Sequence, residues 1–241
     1  MKKVIITGIS KGIGREILSH YDACGYKLFC IDNDIVSIKS LEQVYKNQKF
    51  YNCDLSKKNE LFDVLNKIKS DSEHKIDVLI NNAATIKLKS FLTVTQQEWD
   101  SHIRINLDAY FYIAQIVGRV MSEKKTGHII NISSISSFLF DRNRPQLPYS
   151  TTKAAVDVMT KNMALELGSS GVRVNSIQPG FINCGMGKGV TEKMKIINHT
   201  PLKRMGEVED LLFLLDFLIS EKSSYITGQT IAVDGGYSLG I

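Results

Sequence analysis

The sequence predicts an α/β fold, a doubly wound parallel sheet of about seven strands with helices on both faces. Three observations carry that prediction. Short apolar runs alternate with longer segments of helical periodicity from Val4 to Val233. A glycine-bearing turn, Thr7-Gly8-Ile9-Ser10-Lys11-Gly12-Ile13-Gly14, separates the first strand from the first helix. An acid, Asp32, ends the second strand.

Taken in order, Val4–Thr7 is a short buried strand, followed by a helix from about Ile13 to Ala23. Lys27–Ile31 is the second strand and Ile35–Tyr45 the second helix. Phe50–Asn52 leads into Cys53-Asp54-Leu55-Ser56, where Ser56 is placed to N-cap a helix over Glu60–Ile68. Val78–Ile80 is a strand ending in Asn81-Asn82-Ala83-Ala84. Thr95–Ile105 and Leu107–Met121 read as helices, and His128–Ile132 as a fifth strand. The helix carrying Tyr149 follows, then a strand over Val172–Ile177, a helix over Val208–Ile219 and a last strand over Thr230–Val233. With no repeat, low-complexity segment or linker, residues 1–241 read as a single domain.

Composition narrows the function classes. The 43% apolar and 23% charged content is that of an ordinary globular chain. Its 30 basic residues are scattered among 25 acidic ones without a basic stripe interleaved with aromatics, so no nucleic-acid partner is expected. Cys24, Cys30, Cys53 and Cys184 form no Cys-x-x-Cys pair, which favours free thiols in a reducing compartment over a metal site. The basic and then apolar start passes directly into the glycine turn, and so reads as a strand rather than a signal peptide. No run reaches transmembrane length, so a cytoplasmic protein without membrane contact is expected.

The glycine turn can bring backbone N–H groups close to a pyrophosphate at a helix N-terminus. Its spacing, Gly8-x-x-x-Gly12-x-Gly14, is not Gly-x-Gly-x-x-Gly, so by itself a plain tight turn is an equal reading. Asp32 lies eighteen residues after Gly14, near the separation of about 20 at which an acid bonds a ribose 2′-hydroxyl. Its alternative is a turn aspartate in Asp32-Asn33-Asp34. Tyr149 and Lys153 stand four apart on one helix and share a face. A cation beside a phenol favours the phenolate and prepares the tyrosine for proton transfer. A surface lysine over a half-buried tyrosine is the ordinary reading of such a pair taken alone.

With these residues assembled, the chain resembles the short-chain dehydrogenase/reductase family, in its compact single-domain branch of Rossmann type. The resemblance runs from Thr7 to Gly236 through ordered motifs: Thr7–Gly14, Asp54, Asn81-Asn82-Ala83, Asn106, Ser134, Tyr149-x-x-x-Lys153, Asn175, Pro179-Gly180 and Val233-Asp234-Gly235-Gly236. It implies that Gly8, Gly12 and Gly14 line a pyrophosphate, that Asp54 meets the adenine and that Asn81 supports the adenine ribose. It also places Ser10, Lys11, Ile13, Leu55, Ala83, Pro179, Gly180 and Ile182, with Tyr149 and Lys153, among the cofactor contacts. Asn106, Ser134, Tyr149 and Lys153 are the implied catalytic four. Tyr149 exchanges a proton with the substrate oxygen, and Ser134 bonds the same oxygen. Lys153 lowers the tyrosine pKa and holds the nicotinamide ribose, while Asn106 anchors a water leading from Lys153 to solvent. Ser133 and Ser136 are rivals in sequence for the serine role; Ser134 is preferred as the second of a strand-end Ser-Ser pair.

Departures from the family pattern matter too. Ala84 stands where glycine is usual, and Cys184 where a threonine often touches the cofactor carboxamide; a thiol is the weaker partner. The segment between Ser134 and Tyr149 is about two residues longer than in many relatives. It carries Asp141, Arg142, Asn143, Arg144, Pro145 and Pro148. Its arginines suit a carboxylate or phosphate, or are solvated loop charges.

The expected function is an NAD(P)-dependent oxidoreductase interconverting a secondary alcohol and a ketone, acting on a small free substrate. An NADPH-dependent 3-oxoacyl-[acyl-carrier-protein] reductase is the second reading, though Ser170 stands where those reductases often have a basic residue. A cofactor-binding regulatory or scaffold protein on the same fold is the third. NAD is expected over NADP, because Asp32 would repel a 2′-phosphate more strongly than exposed Lys11 would attract it. Ala109–Val117 is apolar nearly all round, and with the resemblance this implies a homotetramer of D₂ symmetry.

Overall fold

Buried strands need apolar residues on both sides, and the strand runs here supply them. The structure, a computed structural model, describes residues 1–184 and 193–240. The strands are β1 (Lys3–Thr7), β2 (Lys27–Asp32), β3 (Lys49–Asn52), β4 (Val78–Asn81), β5 (Gly127–Ile132), β6 (Val172–Pro179) and β7 (Thr230–Val233). They form one seven-stranded sheet in the order β3-β2-β1-β4-β5-β6-β7, parallel throughout. Alternate residues leave on opposite faces. Val4 and Ile6 therefore pack with residues of α1 (Gly12–Ala23), α2 (Ile35–Val44) and α8 (Val208–Leu218). Ile5 between them packs on the other side, with α3 (Lys58–Asp71), α5 (Ala109–Lys124) and α6 (Leu147–Leu167). This is the doubly wound fold expected from the sequence.

Two local expectations need correction. The segment read as two helices around Asn106 is α4 (Gln96–Ile103) running without a break through a π turn, Arg104–Asp108, into α5. The wider π turn changes which face Asn106 occupies, a device common at functional sites. Ser56 does not cap α3, which has Lys57 at its N-cap and no side-chain cap bond. Asp54 has taken the serine instead: its Oδ1 accepts from Ser56 N at 3.0 Å and from Ser56 Oγ at 2.7 Å.

The strand order reverses direction between β1 and β4. Connections leave these neighbours toward opposite edges, so a crevice opens beyond their C-terminal ends. A short helix α7 (Lys193–His199) follows β6 on that side of the sequence, before α8.

Candidate active site

A cleft of about 700 Å³ occupies the crevice, lined by the glycine turn and Asp32, by Tyr149, and by Arg144 and Phe181. Gly8 turns the chain at φ +76°, where side chains are strained, and a Cβ there would sit 2.7 Å from Ala83 Cα. Thr7 Oγ accepts from Asn82 N and Ala83 N, each at 3.0 Å. Asn82 Nδ2 returns bonds to Thr7 O at 3.0 Å and Gly8 O at 2.9 Å. The ends of β1 and β4 are thus laced into one rigid floor. Asn82 is a residue whose role the sequence reading missed; the doubled asparagine at a strand end was the available signal.

Asp32 lines the cleft with both carboxylate oxygens oriented by backbone: Oδ2 accepts from Ser10 N at 2.9 Å and Oδ1 from Asp34 N at 3.0 Å. Lys11, exposed, stands at the N-cap of α1 without a side-chain cap bond, leaving the first-turn N–H groups open to an anion. Ser10 Oγ is buried with no partner. Open N–H groups and an orphaned hydroxyl beside Gly8 and Gly12 fit a pyrophosphate. Asp54, Leu55, Ile13, Ala83, Pro179, Gly180 and Ile182 also line the cleft, as do Ala84 and Cys184.

Three expected site residues lie elsewhere. Asn81 is fully buried, and its Nδ2 donates to Asn131 Oδ1 at 3.0 Å. A strand points successive residues to opposite faces, so this side chain serves the sheet while its neighbour Asn82 serves the cleft. Gly14 does not line the cleft; it is a packing glycine, where a Cβ would lie 1.9 Å from Gly8 O. Asn106 is fully buried in the π turn. Its Oδ1 accepts from Thr85 N at 2.8 Å, and its Nδ2 donates to Thr85 O at 2.9 Å and Thr152 Oγ at 3.2 Å. Its side chain braces the loop after β4 against the first turns of α6.

Tyr149, Lys153 and Ser134 do converge on the cleft wall. Of the three neighbouring serines, Ser134 is the one whose side chain acts on the Tyr149 phenol, favouring its ionised form. Ser133 Oγ donates to Lys153 O at 3.1 Å, and Ser136 Oγ accepts from Gln146 Nε2 at 2.8 Å. Lys153 is 1% exposed; its Nζ donates to Ile132 O at 2.6 Å and Tyr110 OH at 3.2 Å, and lies 5.7 Å from the Tyr149 ring centroid. Tyr110, which the sequence suggested only as part of an apolar helix, is therefore a direct partner of the lysine.

Burial disfavours the charged form of both groups. It pushes Lys153 down to about 7, partly opposed by the Asp157 carboxylate. It also raises Tyr149 above its ordinary value, opposed by the Ser134 bond. The Lys153 ammonium is aimed at Ile132 O and Tyr110, and the Ser134 hydroxyl favours the Tyr149 phenolate. Among the described residues no group of three or more His, Cys, Asp or Glu could hold a metal ion.

A family model described as enoyl-(acyl carrier protein) reductase matches residues 8–238. The 3-oxoacyl-[acyl-carrier-protein] reductase of Buchnera aphidicola is 33% identical over 238 residues, 98% of this chain and 96% of that protein. Among solved structures, a short-chain type dehydrogenase/reductase from Mycobacterium marinum superposes with a TM-score of 0.90 at 28% identity, covering 98% of this chain and 95% of that one. The chain belongs to the short-chain dehydrogenase/reductase family. As a dehydrogenase/reductase of this family it is an NAD(P)-dependent oxidoreductase. A gluconate 5-dehydrogenase from Burkholderia cenocepacia, in complex with NADP and tartrate, also matches at a TM-score of 0.90 and 26% identity, covering 100% of this chain and 96% of that one. That NADP complex lends no support to the NAD preference expected from Asp32. No helix among the described residues is long and apolar enough to cross a membrane.

Proposed function

We propose that this dehydrogenase/reductase interconverts a secondary alcohol and a ketone, as a single catalytic unit spanning the chain. The observation that carries the reading is that Ser134, Tyr149 and Lys153 share one cleft wall, with the buried Lys153 Nζ 5.7 Å from the Tyr149 ring. Two hydroxyls on one wall suit an oxygen that gains charge during reaction. Tyr149 donates a proton to that oxygen in reduction and takes it back in oxidation. Ser134 bonds the same oxygen and favours the phenolate once the proton has left. Lys153, held by Ile132 O and Tyr110, keeps a cation within reach of both. Bound NAD(H) or NADP(H) would supply or accept the hydride. Gly8, Gly12, Ser10, Asp32 and Asp54 would hold it.

We propose NAD(H) as the favoured cofactor. Asp32 is fixed by two backbone donors where it can accept from ribose hydroxyls, and a 2′-phosphate there would be a like-charge contact. Asp34, held below the usual carboxylate range chiefly by hydrogen bonds from Ser37, lines the same cleft and adds a second carboxylate there. The test is kcat/KM for NAD(H) and NADP(H), with a panel of ketones and alcohols, in wild type and Asp32→Ala. The variant should narrow or reverse the preference. A wild type that favours NADPH would sink this part of the reading.

The likeness to the Buchnera reductase favours a carrier-bound 3-oxoacyl substrate as a second reading. Against it, Lys124 is paired with Asp77 at 3.0 Å, which weakens a basic docking patch around Ser170. Cytoplasmic residence is supported by the free thiols of Cys24, Cys30 and Cys53. A homotetramer is supported by Phe111 on α5 and by Val158 and Leu165 on α6, all exposed on the outer sides of core helices. Sedimentation of a pure monomer at micromolar concentration would count against it.

A further inference from the structure

We infer that Arg144 recognises a carboxylate on the substrate, and that the substrate is a hydroxy acid or the corresponding oxo acid. This rests on the reading of the cleft as an alcohol/ketone oxidoreductase site and names its substrate class.

The two ends of the cleft differ in charge. Carboxylates of Asp32 and Asp54 line the end beside the glycine turn, whereas the far end receives Arg144 from the loop before α6. Lining the cleft with Arg144 are the apolar Leu139, Ile86 and Phe181, the Asp141 carboxylate, and Gln146, whose Nε2 donates to Ser136 Oγ at 2.8 Å. The Arg144 guanidinium lies over the Phe181 ring, 5.1 Å from its centroid. Stacking removes water from one flat face and leaves the in-plane N–H edge to bond.

That edge has no carboxylate partner among the described residues. Asp141, on the same loop, uses its Oδ1 to accept from Asn143 N at 2.8 Å. Other arginines are satisfied within the fold. Arg204 holds Asp210 through two bonds of 2.6 and 2.8 Å, and Arg173 donates to Ser220 O at 2.9 Å and Ile226 O at 3.3 Å. Arg144 is half-buried and positioned over Phe181, yet forms no ion pair among the described residues. A carboxylate matches its planar fork and neutralises it. Arg142, two residues earlier, is exposed and does not line the cleft.

The experiment compares oxo acids with their uncharged methyl esters: acetoacetate with methyl acetoacetate, and levulinate with methyl levulinate. kcat/KM is measured for wild type, Arg144→Gln and Arg144→Lys, with dihydroxyacetone phosphate as a phosphate-bearing ketone. In wild type the acid should exceed its ester by at least about tenfold, and Arg144→Gln should reduce that acid-to-ester ratio by about ten- to a hundredfold. Arg144→Lys should recover part of it. A second readout needs no turnover: at saturating cofactor, levulinate should raise the Tm of wild type but not of Arg144→Gln. An unchanged ratio in Arg144→Gln overturns the inference, as does a clear preference for the phosphate ketone. A wild type that reduces esters but not acids overturns the substrate class and leaves the oxidoreductase reading intact. Protection by levulinate without turnover of any carbonyl retains the carboxylate site and overturns the reaction instead. Neither turnover nor protection overturns both.

Discussion

The two ends of the cleft are built by different means. The end around Gly8, Asp32 and Asp54 stands on three successive strand-to-helix turns, where pleat alternation and glycine sterics place each group within a few residues of its strand. The end around Arg144 and Phe181 stands on long connections, after β5 and after β6, whose geometry depends on contacts between segments distant in sequence. Between them stand Tyr149 and Lys153, on the first turns of α6 and packed against β5. The first end is specified locally and suits a constant ligand. The second is free to vary and suits whatever substrate the loops select.

The largest effect should come at the junction. Tyr149→Phe removes the proton donor while leaving the glycine turn and Asp32 untouched. Turnover should fall by about 10²–10⁴, equivalent to about 3–5 kcal/mol of barrier, with cofactor affinity unchanged. Steady-state kinetics and cofactor titration by fluorescence check both halves of this expectation. Near-normal turnover would remove Tyr149 from the mechanism, and lost cofactor affinity would show that junction and dinucleotide end are not separable.

A smaller effect, confined to the dinucleotide end, is expected from Gly14→Ala. The added Cβ would fall 1.9 Å from Gly8 O and 2.5 Å from Asn82 Nδ2, so the backbone of the glycine turn must shift. Overpacking of this kind costs about 1–3 kcal/mol of stability. The displaced turn should weaken cofactor binding more than it changes the acid-to-ester ratio set at the other end. Thermal unfolding and cofactor Kd measure it. A variant with wild-type values for both would mean that this packing contact does not hold the turn.

The same contrast explains what the sequence made legible. The alternation of strands and helices, the glycine turn and Asp32 could be read because each depends on residues close together in the chain. Asn81 and Gly14 were assigned to the cleft although their side chains or Cβ directions serve the sheet and the turn. A one-residue step reverses a strand's face, and composition does not record which face is the ligand's. Asn106 could be named from its motif, but the π turn that sets its side chain on Thr85 and Thr152 is invisible to a helical period. The serine nearest Tyr149 could be chosen from a motif, but Tyr110 beneath Lys153 could not: only packing of α5 against β5 and α6 brings its hydroxyl there. Arg142 and Arg144 were equal in sequence, and the Phe181 ring separates them.

The subtlest effect concerns the charge of Lys153, which links the junction to the interior of the fold. Burial brings its pKa down to about 7, and Asp157, four residues along α6, acts in the opposite direction. Its other near neighbours, Tyr110 and Tyr149, are phenols whose own pKa values are raised, so neither supplies an anion near neutrality. Asp157 is buried and well held: its Oδ1 accepts from Ser176 Oγ at 2.9 Å and its Oδ2 from Gln178 Nε2 at 2.7 Å. Asp157→Asn can preserve both contacts. The amide oxygen accepts from Gln178, while the amide nitrogen donates to Ser176 Oγ, whose proton is then free to turn to Asn131 O, 3.2 Å away. The charge is lost and the packing is kept. Activity that needs the ammonium is complete below the Lys153 pKa and declines as pH rises through it, so the decline in kcat/KM should begin at lower pH in the variant. A downward move of at least about half a pH unit is expected from losing one buried counter-charge. Stability carries the matching sign. In the unfolded chain the lysine stays protonated to about 10.4, so from about 7 upward the unfolded state binds the extra proton and stability rises with pH across that window. In the variant the rise should start at lower pH. A lowered Tm with an unmoved pH profile would show that Asp157 only supports the fold.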